Sequence, residues 1–332
     1  MTVSTAHLPD PATPLDLDTA TEAFDAIIGG SVADASIMAF LRALAERGET
    51  AAELTAAARV LRQRMHRIAA PDGAIDLCGT GGDGSHSLNI STATTFVVAA
   101  AGVPVAKHGN RGASSRSGTA DVLEALGWQG DLPLDRVEAC LFATGVTFLF
   151  APRFHPALAR VAAARKALGQ RTIFNLIGPL ANPAEVRRQM IGVPAPQWLE
   201  VIARAGVNLG GEEILAVHGD GLDEVAAHSP TELCRARADG SVAHEIFDPA
   251  GHGLGLYPRA DVAGGSPAEN AAELQRLLQG QGRPAYRAVV IANAAAALTL
   301  DGRNWPQAIA DATTALQSGA AAETLARFIA FR

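Results

Sequence analysis

The stretch Asp76-Leu77-Cys78-Gly79-Thr80-Gly81-Gly82-Asp83-Gly84-Ser85-His86-Ser87-Leu88-Asn89-Ile90-Ser91-Thr92 constrains this chain more than any other. Four glycines within Gly79–Gly84 call for positive φ or close backbone approach, which residues with a Cβ resist. Ala74-Ile75-Asp76-Leu77 reads as a strand entering the loop, and a helix opens near Asn89. Exposed N–H groups at such a helix start favour anions, so a phosphate-rich ligand is expected.

Gly79-Thr80-Gly81-Gly82-Asp83-Gly84 satisfies G-x-G-x-x-G, yet no Asp or Glu occurs between Ser85 and Ala120. The acid that would grip a ribose hydroxyl at the next strand end is missing, and Lys107 stands there instead. Dinucleotide binding is therefore excluded. A P-loop also fails, because no Gly-Lys-Ser or Gly-Lys-Thr follows. The helix from about Asn89 to Ala101 ends at Gly102 and leads to a second strand, Val103 to Ala106, which makes a βαβ unit with a parallel sheet. That strand runs into Lys107-His108-Gly109-Asn110-Arg111-Gly112-Ala113-Ser114-Ser115-Arg116-Ser117-Gly118-Thr119, dense in cations, hydroxyls and glycines. Loops at the carboxyl ends of parallel strands share one crevice, so the glycine loop and the basic loop should face each other and hold phosphates.

A third loop follows the strand Ile214 to His218 and carries Asp223-Glu224. Adjacent acids in such a context are usually an exposed turn. Opposite a phosphate cradle they suit magnesium, which takes few protein carboxylates, and the Ser91 hydroxyl is a further donor. Arg165 reads equally as an exposed helix residue and as a cation aimed at a substrate carboxylate. The histidines lack metal-site spacing.

With 48% hydrophobic and 18% charged residues over 332 positions, the chain has material for two domains. Ala20 to Ile68 carries the periodicity of three helices, with Thr50 and Glu53 forming a capping box and Gly48 stopping the second helix. Residues 1–72 form the expected helical domain, joined by part of 130–170, and 73–332 the expected α/β domain with a mostly parallel sheet. From Leu134 to Leu168 the pattern is again helical, with the apolar Phe148-Leu149-Phe150-Ala151-Pro152 segment between helices; Thr172 to Pro183 reads as a hinge crossing. A hairpin around Asp239-Gly240 and C-terminal helices complete the chain. A net charge of −7 argues against nucleic-acid binding. The three cysteines give neither a disulfide framework nor a zinc site. The apolar runs are too short for a bilayer, and the first residues do not read as a signal peptide, so a cytoplasmic protein is expected.

Taken in order, Gly79-Thr80-Gly81-Gly82-Asp83, Asn89-Ile90-Ser91-Thr92, Lys107-His108-Gly109-Asn110-Arg111 with Ser114-Ser115, Gly118 to Glu124, Phe148 to Pro152, Arg171 to Pro179 and Asp223-Glu224 resemble the anthranilate phosphoribosyltransferase family over most of the chain. The resemblance implies transfer of phosphoribosyl from 5-phosphoribosyl 1-diphosphate to the amine of anthranilate, in tryptophan biosynthesis, by a helical domain hinged to an α/β domain and paired as a homodimer. It implies that Gly79, Gly82, Asp83, Ser87, Asn89, Ser91, Thr92, Lys107, Ser115 and Thr119 hold the donor, within a substrate-binding set that also takes in Ile90, His108, Gly109, Asn110, Arg111, Gly112, Ala113 and Ser114. Gly79, Asn110 and Arg165 would hold anthranilate, Ser91, Asp223 and Glu224 would bind Mg2+, and Lys107, Asp83 and Arg165 would be the catalytic residues. Thr119, Gly112 and the Ala163-Ala164 pair before Arg165 depart from the commoner serine, alanine and Pro-Val. The alternatives are a pyrimidine nucleoside phosphorylase, against which Arg165 and Asp223-Glu224 speak, and a non-catalytic nucleic-acid-binding relative, which the net charge opposes.

Overall fold

The structure, a computed structural model, describes residues 7–112 and 116–332. Three helices come first, α1 (Leu17–Gly29), α2 (Asp34–Arg47) and α3 (Ala51–Gln63). Their ends are set locally. Asp16 caps α1 by accepting from the Thr19 N–H, Gly30 closes it at φ 81°, and Thr50 and Glu53 cap α3 reciprocally. Phe24, Ile27, Leu41, Leu44, Leu54 and Leu61 form their shared apolar face.

The sheet begins with β1 (Ile75–Gly79), followed by α4 (Ile90–Ala100), β2 (Val105–Gly109), α5 (Thr119–Ala125), α6 (Leu134–Thr144) and β3 (Val146–Phe150). Two expectations change here. The Phe148-Leu149-Phe150 segment is a strand, paired in parallel with β2 from Val105↔Val146 to Gly109↔Phe150. Buried on both faces, it lacks alternation, and a short apolar run does not separate strand from helix. The second strand also runs later than expected, so Lys107 and His108 lie inside β2 and are buried rather than in a loop.

Short helices α7 (Ala151–Phe154), α8 (Ala162–Leu168) and α9 (Ile173–Leu176) carry the chain past α1 and α2. The chain then returns through β4 (Arg188–Gly192), α10 (Trp198–Asn208) and β5 (Glu213–His218) to the hairpin β6 (Thr231–Arg237) and β7 (Val242–Phe247). Helices α11 (Pro267–Leu278), α12 (Pro284–Thr299), α13 (Trp305–Gln317) and α14 (Ala320–Ala330) cover one face, with α12 packed on α4 and α13.

Strand order is β3-β2-β1-β4-β5-β6-β7, parallel from β3 to β5 and antiparallel in the terminal hairpin. The winding direction reverses between β1 and β4, where neighbouring connections diverge and leave a crevice. The glycine loop leaves β1 at that point. No helix of the described residues is long and apolar enough to cross a membrane.

Candidate active site

The crevice at the carboxyl ends of β1, β2 and β5 is a cleft of about 360 Å³. Its floor is the glycine loop, where Gly81, Gly82 and Gly84 take φ of 70°, 79° and 66°. Gly79 ends β1 with no room for a side chain, since a Cβ would stand 2.1 Å from Asp223 Oδ2. The Gly81 N–H donates to that oxygen at 2.7 Å, and the Asp223 N–H donates to Asp83 Oδ2 at 3.4 Å. The Ser91 N–H, in the first turn of α4, donates to Glu224 Oε1 at 3.1 Å. Asp83, Ser91, Asp223 and Glu224 therefore meet at one wall.

The electrostatics of that wall ask for a cation. Burial and then the neighbouring Asp83 push the Asp223 carboxyl up to about 7. Burial and then Asp223 push Glu224 up to about 8. Two positive charges stand near: Lys107, its Nζ donating to the Leu77 carbonyl at 2.8 Å and to Ser91 Oγ at 3.2 Å, and Arg171, whose Nη2 donates to Thr80 Oγ1 at 3.3 Å. Among the described residues no three His, Cys, Asp or Glu side chains group so as to hold a metal ion by themselves. The wall instead fits a hard cation that takes most of its ligands from water and phosphate oxygens, as magnesium does.

On the basic side, His108, Gly109, Asn110, Arg111, Gly112 and Thr119 line the cleft. The Arg111 guanidinium pairs with Asp121 at 3.1 Å and Glu124 at 2.5 Å and lies over the Phe150 ring. Ser87, Asn89 and Ile90 line the helix end, and Asn89 is fixed by Asn270 Nδ2 at 2.8 Å and by the Tyr286 hydroxyl on its carbonyl. Thr92 sits one residue behind the lining, its hydroxyl donating to Thr119 Oγ1 at 3.1 Å. Ala113, Ser114 and Ser115 lie outside the described residues.

Arg165 enters from α8 at the opposite end. Half-buried above the Phe174 ring at 5.5 Å, its guanidinium is drawn below its ordinary pKa by burial, with no carboxylate of the described residues opposing that shift. Phe174, Asn175, Ile177 and Pro179 line this end, and Leu61 and Leu158 close it. Sequence reasoning assigned Phe174, Asn175, Ile177 and Pro179 to a hinge, and Leu61 and Leu158 to helical segments; the signal of the first four was the mixture of aromatic, amide and proline in one short segment.

His155 is a further lining residue assigned no ligand contact. Its Nε2 lies 3.2 Å from His108 Nε2, while His108 Nδ1 meets the Gly178 carbonyl at 3.0 Å. Burial and then His155 hold His108 down to about 3, and burial holds His155 down to about 4. Beneath them Asp76, fully buried, accepts from the His108 N–H at 3.1 Å and from Asn182 Nδ2 at 2.8 Å.

Residues 72–322 match the family described as glycosyl transferase family, a/b domain, and residues 12–65 match its helical bundle domain. The chain is 48% identical over 326 residues to the anthranilate phosphoribosyltransferase of Novosphingobium aromaticivorans, covering 97% of this chain and 98% of that protein. The crystal structure of anthranilate phosphoribosyltransferase from Thermus thermophilus superposes with a TM-score of 0.89 at 38% identity, covering 96% of each chain. Anthranilate phosphoribosyltransferase from Saccharomyces cerevisiae in complex with PRPP and Mg superposes at 0.85 and 26% identity, over 96% of this chain and 92% of that one. Near-complete coverage at such identity, on a fold that puts glycine floor, acidic wall and arginine around one cleft, leaves one assignment: the chain belongs to the anthranilate phosphoribosyltransferase family.

Proposed function

We propose that this cleft transfers the 5-phosphoribosyl group of 5-phosphoribosyl 1-diphosphate to the amine of anthranilate, releasing diphosphate and giving N-(5-phosphoribosyl)anthranilate for tryptophan biosynthesis. The observation that carries this reading is the polarity of the one cleft. Its β1 end joins a glycine floor, Lys107 and three carboxylates, and its other end joins a half-buried arginine to aromatic and aliphatic side chains.

At the β1 end the loop N–H groups, Ser87, Asn89 and the start of α4 bind the donor's phosphates and orient its ribose. Lys107 has three ammonium donors and commits two to Leu77 and Ser91, which leaves one for a diphosphate oxygen. Ser91, Asp223 and Glu224 are the residues that would hold Mg2+, whose chemistry is to neutralise charge building on the diphosphate as the C1–O bond breaks. Asp83, which accepts from the Asp223 N–H, positions that pair.

At the other end Arg165 takes the anthranilate carboxylate while Phe174 and Ile177 exclude water, and Asn110 and Gly79 border the amine. The leaving oxygen keeps the C1–O electron pair, the amine nitrogen donates its lone pair to C1, and the new bond then allows loss of an N–H proton. An arylammonium is acidic enough that positioning, rather than a strong base, supplies most of the barrier reduction. Pairing of two copies through the helical lobe, the division of the chain near residue 72, and cytoplasmic residence belong to the same proposal. Light scattering that returns a single-chain mass would remove the dimer.

The test is loss of anthranilate fluorescence on adding 5-phosphoribosyl 1-diphosphate and Mg2+. Folded protein that leaves the fluorescence unchanged overturns the reading. Arg165→Ala is expected to raise KM for anthranilate by about 10- to 100-fold, the worth of a charge-assisted pair, with the donor KM nearly unchanged. Equal effects on both substrates would remove Arg165 from the acceptor site.

A further inference from the structure

The Asp121 carboxylate, in the first turn of α5, accepts from three groups on the two flanks of the basic loop, Arg111-Gly112 and Gly118. The Gly112 N–H reaches Oδ2 at 2.9 Å, the Gly118 N–H reaches the same oxygen at 2.8 Å, and Arg111 Nη1 reaches Oδ1 at 3.1 Å. The two flanks touch. A Cβ on Gly118 would lie 2.2 Å from the Gly112 nitrogen and 2.4 Å from the Arg111 carbonyl carbon. The Ala120 N–H donates to the Asn110 carbonyl at 3.3 Å, and Arg111 makes a second, two-pronged contact with Glu124 while covering Phe150.

We propose that Asp121 is a positioning residue that clasps both flanks of the basic loop, and that the Arg111 side chain belongs to this clasp rather than to the phosphates. The inference rests on the donor site proposed above. Its functional weight comes from what the clasp aims. Asn110 precedes one flank, Thr119 follows the other, and Thr119 is bonded to Thr92 next to Ser91. Drawing the flanks together costs chain entropy, and one carboxylate accepting two N–H bonds and a guanidinium offsets it before the donor arrives. Without it the donor must hold Gly112 and Gly118 together itself, which weakens donor binding and leaves the acceptor end alone. Arg111 commits three of its five N–H donors to Asp121 and Glu124, which ties the guanidinium to α5.

The experiment compares wild type, Asp121→Ala and Glu124→Gln as full chains. It measures KM for each substrate, kcat, the thermal midpoint and tryptic cleavage after the exposed Arg116. Asp121→Ala is expected to raise donor KM by about 10- to 100-fold, the cost of a misplaced binding group, with anthranilate KM within about twofold and the midpoint nearly unchanged. Cleavage after Arg116 should quicken and be suppressed by saturating donor. Glu124→Gln, which loosens only Arg111, should raise donor KM by about threefold, and it carries the test if Asp121→Ala does not fold. Donor KM at the wild-type value in the folded variants, or both KM values rising together with a falling midpoint, overturns the clasp. Wild type that leaves anthranilate untouched overturns the proposed function instead; unchanged cleavage in Asp121→Ala then overturns the clasp on its own.

Discussion

Asp223 is wedged between two strand-ending glycines. A Cβ at Gly79 would meet its carboxylate at 2.1 Å, and one at Gly192 would meet its carbonyl oxygen at 1.7 Å. No flexible side-chain end stands at Gly192, so the backbone itself would have to move. At Gly79 the carboxylate yields first, and with it the hydrogen bond from Gly81. Gly79→Ala is therefore expected to raise the Mg2+ concentration needed for half-maximal activity by about tenfold, by displacing the Asp223 carboxylate, while the melting midpoint moves little. Titrating Mg2+ against activity checks this; an unchanged Mg2+ requirement counts against Asp223 as a ligand. Sequence reasoning singled out Gly79, Asp83, Lys107, Asp223 and Glu224 because glycine and charge in strand-end loops are local signals. It did not foresee the partners of Arg111, because Asp121 and Glu124 become its neighbours only once the chain after β2 turns and α5 forms.

Among the elements, β2 and the segment between α7 and β4 are joined by the His108–His155 contact and by His108 to Gly178. Groups facing this pair are His66, Lys107 and Asp76, and burial outweighs them in keeping both rings neutral. Folded His108 and His155 titrate near 3 and near 4, below the ordinary histidine value, so between about pH 6.5 and 4 the unfolded chain binds more protons than the native one. Their contribution to stability is present at neutral pH and is lost as pH falls through that window. Melting midpoints from pH 7 to pH 4 should decline, and His155→Gln should flatten the decline; an equal slope in the variant would assign the acid sensitivity elsewhere. The strand β3 belongs to this scale too. Its five residues carried no alternation to read, and only pairing with β2 on one side of a buried layer distinguishes it from the helical segments around it.

Over the whole molecule, the helices α1 to α3 do not own a separate core. Phe24, Leu41, Leu54 and Leu61 form one apolar cluster with Phe174 of α9, Leu199 and Ile202 of α10, and Ile191 and Ile214 of the sheet. Arg62 of α3 adds hydrogen bonds to the carbonyls of Leu180 and Leu209. Leu54→Ala, at a fully buried position, is expected to cost about 2–5 kcal/mol and to lower one cooperative melting transition of the entire chain. Calorimetry giving two separated transitions, with only one shifted, would show that the helical lobe melts alone. Helix caps at Asp16 and Thr50, the glycine loop and the hairpin turn were written in residues a few positions apart, and the sequence by itself determined them. Gly81 and Asp223, 142 residues apart, His108 and His155, and the apolar end beneath Arg165 met only through the order in which parallel strands associate. Tertiary structure decided these because contact between distant side chains is fixed by how buried layers pack, and no spacing along the chain encodes that packing.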